Sequence, residues 1–174
     1  EAEILSCTTE ADGTCVTVIS ARNMIPWSPE TPCRYETVID GNKVMFGYND
    51  LTRSGYRVLV NGNPYYFRGY IRGIVAHDHP NMTGKSDLEA HLKNLRQAKK
   101  YGFNLVRFHS TIPSKEFIDA ADELGMFIHM EIGFSYEYDQ DGNKRKITLD
   151  VDRWRNIIIQ YRNHPSVAIF CIGN

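Results

Sequence analysis

The chain has 174 residues and a formal net charge of -1, with 42% hydrophobic and 24% charged residues. These proportions are those of an ordinary globular protein, and the balanced charge argues against nucleic acids and acidic membrane surfaces as partners. No apolar run approaches the roughly 18 residues that a membrane-spanning helix needs. We therefore expect neither a nucleic-acid partner nor a membrane partner.

The region up to residue 60 consists of short β-rich runs separated by turn residues. The first runs cover residues 15–19, 35–39 and 43–46, and Asp40-Gly41-Asn42 is a predicted hairpin turn between the last two. A further pair, residues 56–60 and 65–67, flanks Asn61-Gly62-Asn63. Strands at this spacing are typical of a sandwich. We interpret residues 1–60 as the C-terminal part of an immunoglobulin-like β-sandwich domain.

The hydrophobic period changes after Gly69 and predicts alternating strands and helices. A capping box at 86–89 predicts the start of a helix that runs to about residue 98, and Gly102 is the predicted stop. Further helices are predicted at 114–124 and 152–161, and strands at 105–108, 126–130 and 167–172. This order is typical of a parallel sheet in an α/β fold. Residues 73–80 lack the glycine-rich loop of a doubly wound sheet, so we interpret residues 61–174 as the first half of a (β/α)₈ TIM barrel.

The cysteines lack metal-binding or redox spacing. They are Cys7, Cys15, Cys33 and Cys171. Asp12-Gly13 predicts a hairpin turn that could bring Cys7 opposite Cys15, but four reduced thiols are the preferred interpretation. That interpretation weakly favours a reducing, cytoplasmic compartment.

Polar residues recur where the predicted barrel strands end. They are His77 and His79 after the first strand, Arg107 and His109 at the second, His129 and Glu131 at the third, and Asn174 at the fourth. Active sites of barrels lie at these carboxyl ends. A buried arginine must be paired, and Glu131 on the adjacent strand is the expected partner of Arg107. A purely structural ion pair is the alternative to a polar floor that binds hydroxyl groups or orients a catalytic carboxylate.

Two further groups of residues allow other interpretations. His77, His79 and His129 with Glu131 could hold a metal, as in some metallohydrolases, although the ligands would come from non-adjacent strands. Four aromatic residues could stack on sugar rings: Trp27, Trp154, Tyr65 and Tyr66. Trp154 is more easily explained as a core residue.

Several motifs in order resemble glycoside hydrolase family 2, the group of β-galactosidases and β-glucuronidases. They are the junction 61–69 with the preceding Phe46-Gly47-Tyr48, the second-strand motif 104–110, the second-helix motif 120–125, and the stretch from Arg162-Asn163-His164-Pro165-Ser166 to Asn174. The common second-strand form continues with serine, histidine, tyrosine and proline, whereas this chain reads His109-Ser110-Thr111-Ile112-Pro113, so the sugar specificity does not carry over.

The resemblance implies a retaining exo-β-glycosidase with two catalytic carboxylates about 5 Å apart. The acid/base glutamate is expected directly after Asn174 and the nucleophile on a later strand, so no catalytic residue is expected within the chain, which alone should be inactive. Asn174 would bind the hydroxyl next to the reacting carbon, Arg107 would support the surroundings of the nucleophile, and His77 or His79 would contact the substrate.

The expected carbohydrate-binding residues are therefore Asn174, Arg107, His109, Glu131, His77 and His79, with no metal and no cofactor. A metal-dependent barrel hydrolase and a non-catalytic carbohydrate-binding protein remain the alternatives. The two edge strands of a half barrel expose unpaired backbone donors. We therefore also expect aggregation, association into a homo-oligomer, or a further segment that pairs with these edges.

Overall fold

A computed structural model describes residues 2–11, 13–21, 23–39, 41–72, 88–132, 135–138, 140–148 and 150–173. The first part of the chain forms antiparallel strands. They are β1 (Ala2–Thr9) with β2 (Cys15–Ala21), β3 (Tyr35–Ile39) with β4 (Asn42–Phe46), and a meander of β5 (Leu51–Ser54), β6 (Arg57–Val60) and β7 (Asn63–Tyr65). Within the described residues these are three separate small sheets. Their membership of an immunoglobulin-like sandwich stays a prediction.

The predicted hairpin turns are present in this part of the chain. Gly41 has φ +77°, and Asn61 and Gly62 have φ +51° and +78° between β6 and β7. Positive φ at both central residues is the signature of the tight turn that suits the twist of two antiparallel strands. The connection is two residues shorter than expected, because β7 begins at Asn63 instead of Tyr65.

The second part of the chain is a four-stranded parallel sheet with helices between its strands. The strands are β8 (Gly69–Arg72), β9 (Leu105–Phe108), β10 (Phe127–Glu131) and β13 (Val167–Cys171), and the helices are α1 (Leu88–Lys100), α2 (Lys115–Leu124) and α3 (Val151–Tyr161). The strands lie side by side in chain order. A doubly wound sheet would reverse its order, so the observed sequence of strands is the one a barrel requires.

One hairpin in this region was not predicted. Strands β11 (Ser135–Tyr138) and β12 (Lys144–Thr148) pair antiparallel between β10 and α3. The sequence there reads as a polar loop tip, because residues 139–146 are all charged, amide or glycine. The hairpin follows the carboxyl end of β10 in chain order.

Local sequence signals set the ends of α2. The Ser114 side chain accepts a hydrogen bond from the Phe117 backbone N–H, and Gly125 ends the helix in the left-handed conformation with φ +76°. In α1 the buried positions are Leu92, Leu95 and Ala98, whereas Leu88 is exposed at the first turn. The first two residues of the predicted capping box lie outside the described residues.

The two faces of the parallel sheet carry different clusters. Ile128 and Met130 of β10 pack against the helices, whereas Phe127 packs with Leu105, Val60 and Trp27 on the opposite face. Side chains alternate along a strand. His129 and Glu131 therefore share the face of Phe127, which in a barrel is the interior.

The amino end of the sheet joins the two parts of the chain. Trp27 is fully buried, and its indole N–H donates to the Asp122 backbone carbonyl over 2.8 Å. Lys99 donates to the carbonyl of Pro29 at 2.6 Å and to that of Gly125 at 3.0 Å. The expectation that Trp27 stacks on a sugar is wrong, because no face of its ring is accessible.

A cavity of about 450 Å³ also lies at this amino end. It is bordered by the β3–β4 hairpin and by residues 162–165, which precede β13. Because residues at this end of a barrel serve stability, we do not place the chemistry there. No helix within the described ranges is long and apolar enough to span a membrane.

Candidate functional site

An ion pair links the second and third strands of the parallel sheet. The Arg107 guanidinium donates to Glu131 Oε2 over 2.7 Å. Arg107 lies opposite His129 in the β9–β10 register, so Glu131 is one step nearer the carboxyl end on the same face. The carboxylate is 1% exposed and the guanidinium side chain 24% exposed. The expected pairing of Arg107 with Glu131 is therefore present at the expected end of the sheet.

Ser110 completes the binding of this carboxylate. Its hydroxyl donates to Glu131 Oε1 over 3.1 Å and lies 3.2 Å from His109 Nδ1. Ser110 has φ +54°, a conformation uncommon for residues other than glycine, and strained backbone of this kind concentrates at functional sites. Ser110 was not among the predicted site residues. The available signal was that a buried carboxylate needs hydrogen-bond donors for both of its oxygens.

The hydrogen bonds fix the charge state of Glu131. Burial alone would raise the pKa of this carboxyl group, but the hydrogen bonds from Arg107 and Ser110 and the positive potential of His109 and Arg107 lower it below its ordinary value. An ionised carboxylate can only accept hydrogen bonds. The Ser110 hydroxyl therefore donates to Glu131 and can accept from His109 Nδ1–H.

His129 faces the same space in its neutral form. Burial lowers the pKa of its imidazole, and the charge of Arg107 lowers it further, against the opposing effect of Glu131. Its Nε2 atom is buried and has no hydrogen-bond partner among the described residues. A neutral imidazole can donate at one nitrogen and accept at the other, so His129 can exchange a hydrogen bond with a hydroxyl group.

The neighbourhood of His129 does not suit the metal interpretation. A cation would have to bind within the positive field of Arg107, which already depresses protonation of His129. Glu131 is occupied by Arg107 and Ser110 on both oxygens. The other expected ligands, His77 and His79, lie outside the described residues, as does Asn174.

A different set of potential metal ligands lies near the amino end of the sheet. Within the described part of the chain, Asp119, Asp122 and His164 form the one such cluster. His164 Nδ1 lies 2.7 Å from Asp122 Oδ2, and the other Asp122 oxygen accepts from the Ser166 backbone N–H at 3.0 Å. Asp119 pairs with Lys115. These contacts tie α2 to the start of β13, and we assign the cluster a structural role.

The arrangement at the carboxyl end can bind but not perform acid catalysis with Glu131. A general acid must carry a proton near neutral pH, and Glu131 is held ionised. The site combines an anion, a guanidinium and neutral imidazole, which together offer donors and acceptors to several hydroxyl groups. Such a surface fits a polyhydroxylated ring.

Comparisons with known proteins identify the family of the chain. Residues 53–174 match the model for glycosyl hydrolases family 2, TIM barrel domain. A β-galactosidase of Arthrobacter sp. (strain B7) is 26% identical over 171 residues, covering 91% of this chain and 17% of that protein. A β-glucuronidase of Paenibacillus borealis is 25% identical over 152 residues, covering 80% of this chain and 25% of that protein.

Solved structures show the same fold. Bacteroides uniformis β-glucuronidase 3 superposes with a TM-score of 0.66 at 24% identity, over 92% of this chain and 21% of that one. The β-D-glucuronidase of Dictyoglomus thermophilum superposes with a TM-score of 0.69 at 20% identity, over 95% of this chain and 32% of that one. The chain spans about 15 to 17% of the length of the first curated relatives it matches. The chain belongs to glycosyl hydrolases family 2, and most of it matches the TIM barrel domain of that family.

Proposed function

We propose that the chain is part of a retaining exo-β-glycosidase acting on β-galactosides or β-glucuronides. Residues 1–60 would be the C-terminal part of an immunoglobulin-like sandwich, and residues 61–174 the N-terminal half of the catalytic barrel. The observation that carries the proposal is the Arg107–Glu131 pair on the interior face, at the carboxyl end of strands within the matched barrel domain.

Glu131 would serve as a fixed anion in this enzyme. Its lowered pKa excludes the role of proton donor, and its two oxygens are already bonded to Arg107 and Ser110. A nucleophile needs an oxygen free to approach the anomeric carbon. Glu131 therefore acts by holding Arg107, whose guanidinium would in turn support the surroundings of the nucleophile.

The remaining polar groups would bind sugar hydroxyls. His109, whose Nδ1 faces the Ser110 hydroxyl, keeps Nε2 for a sugar hydroxyl, and neutral His129 offers its buried Nε2. The family resemblance adds His77 or His79 as substrate contacts and Asn174 as the partner of the hydroxyl beside the reacting carbon. A contact that strengthens in the transition state raises the rate of the chemical step.

The two catalytic carboxylates would be residues other than the substrate-binding residues named above. Among the described residues at the four strand ends, Glu131 is the one carboxylate, and retention requires two about 5 Å apart. The family pattern expects the acid/base glutamate directly after Asn174 and the nucleophile on a later strand. The 174-residue chain assayed by itself should therefore show no turnover.

The test is an assay of the full-length protein that contains this chain. Nitrophenyl β-galactoside or nitrophenyl β-glucuronide should be hydrolysed, and the corresponding α-anomers should not. Proton NMR of the first product should show the β-anomer, because double displacement retains configuration. An α-anomer as first product would contradict retention, and no turnover of either β-glycoside would contradict the proposed substrate class.

A matched pair of variants tests the site itself. Arg107→Gln should lower kcat/KM by about 100-fold or more, the usual scale for loss of a preorganised electrostatic group. Arg155→Gln removes an exposed guanidinium that pairs with Asp152 on α3, and its kcat/KM should stay unchanged. Equal activity in the two variants would remove Arg107 from the proposed site.

A further inference from the structure

Two cysteines face each other across the first hairpin of the chain. Cys7 Sγ of β1 and Cys15 Sγ of β2 are 3.0 Å apart. Both residues are exposed, and all four cysteines of the chain are thiols. The turn at residues 10–14 closes this hairpin with a hydrogen bond from the Glu10 N–H to the Thr14 carbonyl.

The strand register explains why the thiols meet. Cys7 is directly opposite Thr17, and Cys15 is opposite Thr9. Side chains two residues apart lie on one face of a strand, so Cys7, Cys15 and Thr17 share a face, with Cys15 diagonal to Cys7. The Thr17 hydroxyl lies 3.5 Å from Cys7 Sγ and 3.9 Å from Cys15 Sγ. The two thiols are therefore held side by side by backbone pairing.

The same geometry is close to that of a covalent link. A disulfide joins its sulfur atoms at about 2.05 Å, so the two Sγ atoms need to approach by about 1 Å to form one. Their exposure gives a small oxidant access to either sulfur, which is the other requirement for exchange. The half-buried Cys171, whose Sγ contacts the Gly173 carbonyl at 3.3 Å, lacks this exposure.

We propose that Cys7 and Cys15 are a reversible disulfide site that reacts with small-molecule disulfides such as oxidised glutathione. One protein thiolate attacks the oxidant, forming a mixed disulfide and releasing one reduced glutathione. The second protein thiolate attacks the protein sulfur of that mixed disulfide and releases the other. The protein pair loses two electrons and two protons, and one oxidised glutathione becomes two reduced molecules.

The disulfide would fix a hairpin that has little other support. β1 pairs with β2 alone among the described strands, and an isolated two-stranded hairpin is only marginally stable in water. A link between residues 7 and 15 closes a short loop and so restricts the unfolded hairpin. Oxidation should therefore protect this end of the chain against proteolysis.

The test is intact-mass spectrometry of the full chain after incubation with oxidised glutathione. The wild type should lose two hydrogen atoms, peptide mapping should find Cys7 linked to Cys15, and dithiothreitol should reverse the change. Cys7→Ser should instead retain one glutathione on Cys15, and Cys15→Ser one on Cys7. Cys33→Ser, the matched control, should form the link like the wild type.

Two results would overturn the proposal. The first is a wild type that carries glutathione on both Cys7 and Cys15 with no link between them. The second is a wild type in which both thiols stay open to alkylation after the incubation. Because the assay reads covalent chemistry at residues 7 and 15, its result is independent of any glycosidase activity.

Discussion

The guanidinium of Arg107 lies 2.7 Å from the carboxylate of Glu131, although the two residues are separated by 24 positions in the chain. Adjacent parallel strands bring them together, and the buried carboxylate receives its second hydrogen bond from Ser110. Each partner in this group depends on the others, because a buried charge without its counter-charge is strongly destabilising.

Glu131→Gln should lower the free energy of unfolding by about 3 kcal/mol, because it leaves the Arg107 charge without its counter-ion in a mostly buried place. Glu36→Gln is the matched control. Glu36 pairs with Lys43 on an exposed hairpin at 3.0 Å, and its loss should cost less than about 1 kcal/mol. Urea titration of the two variants measures the difference. Similar losses of unfolding free energy in the two variants would show that burial does not determine how much Glu131 contributes to stability.

The stabilising effect of Glu131 should disappear in acid. Its pKa is lowered in the folded state, so the unfolded chain takes up this proton first as the pH falls. The contribution is complete above the unfolded value of about 4.3 and is lost as the pH falls through the lower folded value. The stability difference between wild type and Glu131→Gln should therefore narrow in urea titrations below pH 4. A constant difference down to the acid limit would contradict the lowered pKa.

Ser110 combines a favourable side chain with an unfavourable backbone, and two substitutions separate them. Ser110→Ala removes the hydrogen bond to an ionised group and should cost about 2 kcal/mol. Ser110→Gly removes the same bond but relieves the φ of +54°, and it should be less destabilising than alanine by about 1 kcal/mol. Thermal or urea unfolding of the two variants gives the order. Glycine no better than alanine would argue against backbone strain at Ser110.

Gly125 and Gly62 have nearly the same φ, +76° and +78°, but different surroundings. A Cβ on Gly125 would lie 2.4 Å from the Pro29 carbonyl oxygen, which also accepts from Lys99. Nothing lies within 4 Å of a Cβ on Gly62. Gly62→Ala should cost about 1 kcal/mol for the left-handed backbone, and Gly125→Ala about 3 kcal/mol or more, because the loop must also move. Equal losses of unfolding free energy would show that the Pro29 contact yields easily.

The regular elements follow closely from the sequence. The strand at 105–108 is confirmed at both ends, and α2 begins after the predicted Ser114 and ends at the predicted Gly125. These features rest on local signals, namely apolar period, a capping serine and a glycine in the left-handed conformation. The pairing of Arg107 with Glu131 was also predictable, because a buried guanidinium requires a carboxylate on a neighbouring strand.

Features that depend on distant contacts were not predictable in the same way. Ser110 reads as an ordinary loop serine until its φ and its distance to Glu131 are known. Trp27 offers the same indole whether it binds a sugar or fills a core, and its contact with the Asp122 carbonyl spans 95 positions. In both cases the deciding partner is far away in the chain. The β11–β12 hairpin was missed for a local reason, because residues 139–146 are polar and read as a loop.

The buried Trp27 has a practical consequence for cutting the chain into pieces. Its ring meets Phe127 edge-on with centroids 5.2 Å apart, and Val60 belongs to the same cluster. A barrel fragment that begins at residue 61 would lose Trp27 and Val60. Its Phe127 ring would be uncovered, and the Asp122 carbonyl would lose its indole donor. Protein that keeps residues 24–60 should therefore be more soluble and more stable than protein trimmed at the strand-to-barrel junction.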